Sequence, residues 1–130
     1  MIAIDTNILV RFLTRDDESQ HLKSVELFRN NRVMILDTVW METEWVLRYA
    51  YDFPVTEIVS AFRGVLGLSG VTTENLSRLV SALEWHQSGF DFADALHLAG
   101  AVETKAFYTF DQAFIQSAIS VSNPPVKSPL

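Results

Sequence analysis

Asp5 is the first residue of the chain whose type and position could do chemistry. It ends an apolar run from Met1 to Ile4 and is followed by Thr6 and Asn7. A carboxylate, a hydroxyl and an amide in sequence supply oxygen atoms of the kind that bind a hard cation or its water molecules. Asp5 is equally suited to capping a helix, because Asp at a helix start accepts a hydrogen bond from a backbone N–H group. The triplet alone leaves both interpretations open.

Two glutamates lie close together in the segment VWMETEWVLR. Glu44 has Arg48 four residues further on, an orientation that favours an ion pair on a helix surface. Glu42 has no such cation, and its neighbours on the predicted helix face are apolar: Val39, Trp45 and Val46. A carboxylate on a core-facing stripe is costly unless it is paired or ligated. Glu42 is therefore predicted to be the functional glutamate, and Glu44 part of a surface pair.

The remaining candidates lie in GFDFADALHLAG and YTFD. Asp91 is predicted to cap a helix, and Asp94 to lie in its first turn, where negative charge suits the helix dipole. His97 follows one turn later and is interpreted as structural. Asp111 either caps the last helix or takes part in a site, to which Thr109 could add its hydroxyl.

Strands and helices that alternate along the chain must position these residues. The pattern predicts a parallel sheet with helices on both of its faces, an α/β fold. We expect strands at 1–4, 33–36, within 69–73 and at 106–109, and helices at 8–13, 17–30, 38–51, 56–66, 74–87, 92–104 and 111–118.

Two further structural expectations concern the second helix and the end of the chain. Asp17 or Ser19 is expected to cap the helix that ends near Asn30. The core face of this helix is expected to include Leu22, Val25 and Phe28 or Arg29. Val121 is a possible edge strand. Residues 122–130 carry three of the four prolines and are expected to lie loosely on the surface as a tail behind a single domain at 1–121.

The predicted topology brings the acids together. Ligands of such folds bind beyond the carboxyl ends of the strands, where Asp5 and Asp111 are placed. Two unit charges about 4 Å apart repel by roughly 4 kcal/mol at an effective dielectric constant near 20. Four clustered carboxylates thus need a counter-charge, and all-oxygen ligation predicts Mg²⁺ or Mn²⁺.

Composition limits the classes of protein. The 130 residues suffice for one domain, no apolar run is long enough for a membrane span, and no secretory leader is expected. The net charge of −6 argues against a protein that simply coats nucleic acid. Without cysteine there is neither a disulfide nor a thiolate zinc site, and we expect a cytoplasmic protein.

These segments, taken in order, resemble the PIN-domain ribonucleases, and among them the VapC-like toxins of toxin–antitoxin pairs. The matching pieces are MIAIDTNILVRFL, VWMETEWVLR, DFADALHLA and YTFD. The resemblance implies a three-layer α/β/α sandwich with a short parallel sheet, Mg²⁺- or Mn²⁺-dependent cleavage of RNA, a homodimer, and a cognate antitoxin that blocks the site.

The resemblance also assigns roles to residues. The four acids of the family match Asp5, Glu42, Asp94 and Asp111 as catalytic metal ligands, with Glu44 as an alternative to Glu42. Supporting positions match Thr6, Asn7 and Thr109. Arg11 and Arg15 are candidate contacts to substrate phosphate, although each could equally be a solvated surface charge.

Three other functions are compatible with parts of the pattern. An aspartyl-phosphate phosphatase would need an Asp two residues after Asp5, where this chain has Asn7. A signalling receiver would need adjacent acids after the first strand and a lysine after the AFYT strand. A PIN-like module that binds proteins but has lost catalysis is the third, although all four acids are present.

Overall fold

A computed structural model describes residues 1–121 and 123–130, which form two compact units, 1–76 and 77–130. Each unit has its own strands, helices and core. The predicted domain bounds, 1–121 and 122–130, remain a prediction. Among the described residues no helix combines the length and apolar character needed to span a membrane.

The first unit is a three-stranded parallel sheet with helices between its strands. Its strands are in the order β1-β2-β3, and Val33 pairs with Ile2 on one side and Val71 on the other. Parallel strands need such crossover connections, which explains the alternation in the sequence. The elements are β1 (Ile2–Ala3), α1 (Thr6–Leu13), α2 (Glu18–Asn30), β2 (Val33–Ile35), α3 (Asp37–Tyr49), α4 (Val55–Leu66) and β3 (Val71–Thr73).

The core of this unit is centred on Trp40. Its ring packs edge-on against Phe62, with the ring centroids 4.9 Å apart, and its Nε1 donates to Thr73 Oγ1 at 3.0 Å. Trp40 thereby ties α3 to α4 by apolar contact and to β3 by a hydrogen bond that satisfies its buried N–H group. Other fully buried side chains around it are Leu9, Val33, Ile35, Leu47 and Ile58.

The second unit has three helices and a two-stranded parallel pair. Phe107 pairs with Val126, and Phe114 packs against Phe107 at a centroid separation of 5.3 Å. The elements are α5 (Leu76–Gln87), which begins at the last residue of the first unit, α6 (Phe92–Gly100), β4 (Phe107–Tyr108), α7 (Gln112–Ser117) and β5 (Val126–Lys127). Its core includes Leu79, Leu83, Phe92 and Leu98.

Local signals predicted most element starts, but the core face of α2 was predicted only in part. Of the two candidate caps, Asp17 caps α2, since its side chain accepts from Gln20 N at 3.0 Å. Phe28 packs against Phe12 of α1 with the ring centroids 4.1 Å apart, as a core-facing residue should. Leu22, however, is 55% exposed and Arg29 is exposed, while His21, whose ring contacts the Arg11 carbonyl, is buried.

The expectation of a loose tail was also wrong. Val126 and Lys127 form β5, and Phe107 N and Thr109 N donate to Pro125 O and Lys127 O, both at 2.9 Å. Val121 is not in a strand. β5 therefore begins five residues after Val121, where an edge strand was predicted, and its side of the chain accepts the hydrogen bonds of Phe107 N and Thr109 N.

Candidate functional site

Asp5 lies between β1 and α1, and its position is compatible with both predicted roles, the helix cap and the metal ligand. It is the N-cap of α1, and its Oδ1 accepts from Thr6 N at 2.7 Å. The residue is exposed, and its second oxygen, Oδ2, receives no hydrogen bond from any described residue. Capping therefore fixes the carboxylate at the strand end while leaving one oxygen for a ligand. Asn7, also exposed, follows in the first turn.

Thr6 connects this strand end to α3. Its side chain is 5% exposed, and Oγ1 donates a short hydrogen bond to Glu42 Oε1. Glu42 itself is exposed. A buried hydroxyl that donates to a carboxylate fixes the orientation of that carboxylate. The structure therefore joins Glu42 to the Asp5–Thr6 segment across 36 residues of sequence.

The prediction placed Glu42 on the core-facing side of the helix and Glu44 on its surface, and the structure shows the opposite. Glu44 is 2% exposed, and Arg48 donates to it twice, from Nε at 2.7 Å and from Nη2 at 3.2 Å. The buried stripe of α3 runs through Trp40, Thr43, Glu44 and Leu47, the spacing of one helix face. The predicted Glu44–Arg48 pair is confirmed but lies on that stripe, while Glu42 is outside it.

In the second unit, aspartates start both of the helices that flank β4. Asp91 caps α6 by accepting from Asp94 N at 3.2 Å, and Asp111 caps α7 by accepting from Phe114 N at 3.1 Å. Thr109 Oγ1 accepts from Asp111 N at 3.0 Å. Both predicted caps are confirmed, and Thr109 fixes the backbone that carries Asp111.

Asp94 and Asp111 line one small cavity of about 90 Å³, together with Asp91, Phe90 and Phe114. Such a cavity has space for several water molecules, since each occupies about 30 Å³ in the liquid. Burial raises the pKa of the Asp94 carboxyl above its ordinary value, and the carboxylates of Asp91 and Asp111 raise it further. Negative charge thus accumulates where aromatic side chains limit solvation, as a site for a cation requires.

The oxygen donors in both units fit a divalent metal ion such as Mg²⁺, which prefers carboxylates and water. Asp5, Thr6 and Glu42 are associated in the first unit, and Asp94, Asp111 and Thr109 in the second. Within residues 1–121 and 123–130, no three Asp, Glu or His side chains are grouped closely enough to bind a metal ion. The four-carboxylate site remains a prediction.

The two candidate phosphate contacts differ in how firmly they are held. Arg11 forms an ion pair with Asp16 at 2.7 Å and also donates to Gln20 Oε1 and to Tyr51 Oη. Arg15 is exposed. The contact of Arg11 with Tyr51 could not be predicted from sequence patterns, because the two residues lie 40 positions apart.

The model of the PIN domain family matches residues 2–119. The chain belongs to the PIN domain family. The match confirms the α/β fold class that was predicted for it. PIN domains are generally nucleases that act on RNA, and they typically use divalent metal ions. A search of curated proteins found no match for this PIN domain.

Proposed function

We propose that this PIN domain is an Mg²⁺- or Mn²⁺-dependent endoribonuclease that hydrolyses RNA phosphodiester bonds as the toxin of a toxin–antitoxin pair. The observation that carries the proposal is the pair Asp94 and Asp111, whose carboxylates line one small cavity beside two helix starts. Asp5 and Glu42 complete the set of ligands. Glu42 is preferred to Glu44 because Glu44 is buried in its ion pair.

In the proposed mechanism, the carboxylates hold the metal and Asp94 receives a proton. A bound divalent cation lowers the pKa of water and stabilises charge on phosphate. Thr6 fixes the orientation of Glu42 through its hydroxyl, and Thr109 fixes the backbone N–H group of Asp111. Asp94 is assigned as the proton acceptor from the attacking water, because burial and the like charges of Asp91 and Asp111 raise the pKa of its carboxyl above the ordinary value.

Cleavage of single-stranded RNA with and without metal tests the proposal. Asp5→Asn and Asp94→Asn should each lower the metal-dependent rate by roughly 10²–10⁴-fold. Asp52→Asn is the matched control, because Asp52 is exposed and has a φ of 54°, a conformation that Asn adopts readily. Unchanged cleavage by Asp5→Asn would remove Asp5 from the mechanism. Absence of any metal-dependent cleavage by the wild type would favour the catalytically inactive binding module.

An exposed aromatic pair on α3 supports a protein partner such as an antitoxin. Trp45 and Tyr49 are 57% and 59% exposed, their rings are 5.2 Å apart, and the Arg48 guanidinium lies over Tyr49. Aromatic residues and Arg are enriched where proteins bind one another. Induced expression should arrest growth unless Asp5 is replaced or the protein of an adjacent reading frame is co-expressed. The double variant Trp45→Ser, Tyr49→Ser should abolish that rescue while leaving RNA cleavage intact.

The proposal further includes a homodimer that acts in the cytoplasm. Sedimentation of the purified protein tests the dimer directly, and a single species with the mass of one chain would contradict it.

A further inference from the structure

A cleft between α1 and α2 in the first unit has no role in the mechanism above. Its volume is about 540 Å³, within the range of about 300–1,000 Å³ that is typical of small-molecule sites. Asn7, two residues after Asp5 in sequence, is among the residues that line it. Other residues that line it are Ile8, Arg11, Gln20, Lys23 and Leu27. The cleft is therefore formed in part by α1, the helix that the proposed metal ligand Asp5 caps.

The α1–α2 cleft is lined by two cations on an acidic chain. The chain has 16 acidic and 10 basic residues, yet the cleft is lined by Arg11 and Lys23 and by no Asp or Glu. Arg11 is paired with Asp16, whereas Lys23 is exposed and forms no ion pair with any described residue. Lys23 is therefore the cation left to attract an anionic ligand.

Hydrogen bonds to three side chains hold Arg11 in place at this cleft. Its Nε donates to Gln20 Oε1 at 2.8 Å, and its Nη1 donates to Asp16 at 2.7 Å and to Tyr51 Oη at 3.2 Å. Tyr51 in turn donates to Asp16 Oδ2 at 2.7 Å, which closes the network. Nη2 makes no hydrogen bond to a described residue, so its two N–H groups can donate to a phosphate.

The cleft also has an apolar wall. Ile8 and Leu27 are half-buried and line it from α1 and α2. Positive charge beside an apolar surface matches the two parts of a nucleotide, the phosphate and the base with its ribose.

We propose that the α1–α2 cleft binds one nucleotide of the substrate RNA next to the phosphodiester that is cut. Lys23 and Arg11 Nη2 contact its phosphate, and Ile8 and Leu27 contact its base or ribose. RNA is favoured over a peptide because Lys23 and Arg11 Nη2 offer N–H donors that suit a phosphate, and because α1, which lines the cleft, is capped by Asp5. This inference rests on the proposed ribonuclease function.

The salt dependence of RNA binding tests the inference. A fluorescent single-stranded RNA is titrated with the Asp5→Asn protein, which binds without cutting, at several salt concentrations. Loss of one phosphate contact should lower the slope of log Kd against log salt by roughly 0.7 and weaken binding several-fold at low salt. Lys23→Ala should show this change and Lys23→Arg should not. Arg29→Ala is the matched control, since Arg29 is an exposed cation of the same helix outside the cleft.

Crosslinking locates the nucleotide independently. RNA that contains 4-thiouridine should crosslink to peptides from α1 or α2, and Lys23→Ala should reduce the yield of this crosslink.

Two results would overturn the inference: equal changes in RNA binding for Lys23→Ala and Arg29→Ala, or crosslinks only to peptides outside α1 and α2. It is likewise overturned if an antitoxin peptide, and not RNA, protects Lys23 from acetylation. If the wild type cleaves RNA but Lys23→Ala binds RNA as tightly as the wild type, only the inference about the cleft is wrong. If the wild type neither binds nor cleaves RNA, the proposed ribonuclease function is wrong as well.

Discussion

Two buried threonines of the first unit differ in what their hydroxyl groups contact. Thr6 Oγ1 donates to Glu42, whereas Thr43 Oγ1, in a residue that is 0% exposed, has no hydrogen-bond partner among the described residues. An unpaired buried hydroxyl destabilises the fold, while one that orients a carboxylate serves the site. The same substitution at the two positions therefore separates function from stability.

Thr6→Val should lower metal-dependent RNA cleavage by roughly 10–100-fold, the usual cost of removing a group that orients a metal ligand. Thr43→Val should leave cleavage unchanged and raise the free energy of unfolding by about 1 kcal/mol, because it removes a buried polar group that gains nothing in return. Initial cleavage rates and urea unfolding of both variants measure this. Equal activity of the two variants would rule out a role for Thr6 in the site.

Asp94 links stability to pH. Its folded-state pKa lies above the ordinary Asp value, first because of burial and then because of Asp91 and Asp111, with His97 acting in the opposite direction. Between the unfolded and the folded pKa, the native state binds more protons than the unfolded state. Stability therefore falls as pH rises through that window, and the penalty persists at neutral pH.

Asp94→Asn should thus unfold at a higher urea concentration than the wild type at pH 7 in EDTA, although it should not cleave RNA. The difference should shrink as pH falls through the ordinary Asp pKa of about 3.9 and vanish roughly one pH unit below it, where Asp94 is protonated in both states. Urea unfolding from pH 3 to 8 measures it, with Asp52→Asn as the control. A gain in stability that is the same at every pH would assign it to packing and not to charge.

At the scale of elements, β5 supports β4 and the Thr109 position. Removing residues 122–130 deletes the acceptors of Phe107 N and Thr109 N. We expect a loss of about 1–3 kcal/mol in the free energy of unfolding, because each hydrogen bond contributes about 0.5–1.5 kcal/mol. We also expect slower cleavage, since Thr109 precedes Asp111. Removing only residues 129–130 is the control, and equal stability of the two truncated proteins would contradict the role of β5.

How much of these elements could be predicted depends on how local their causes are. Asp91 and Asp111 were recognised as helix caps because a cap acts within three residues. The sides of α2 and α3 that face the core could be predicted only in part, since they also depend on residues of other elements: His21 contacts the Arg11 carbonyl, and Trp40 contacts Phe62 and Thr73. The Glu44–Arg48 pair is local and was predicted, but its burial on the stripe that contains Trp40 was not. The pairing of β5 with β4 is likewise non-local.

At the scale of the whole molecule, each compact unit carries two of the four proposed ligands. Asp5 and Glu42 belong to residues 1–76, and Asp94 and Asp111 to residues 77–130. Within residues 1–121 and 123–130 no three Asp, Glu or His side chains lie close enough together to bind a metal ion, so the four-carboxylate site is proposed and not observed. The proposal requires that ligands from both parts of the sequence contribute to metal affinity.

Binding of Mn²⁺ tests this requirement, because the electron paramagnetic resonance signal of free Mn²⁺ decreases when the ion binds. Asp5→Asn and Asp94→Asn should each weaken Mn²⁺ binding by at least about tenfold, since each removes an oxygen ligand. Asp52→Asn should bind as the wild type does, because it changes the same charge at an exposed position. If Asp94→Asn alone lost affinity, the second unit would hold the metal by itself, and Asp5 and Glu42 would act elsewhere than in metal binding.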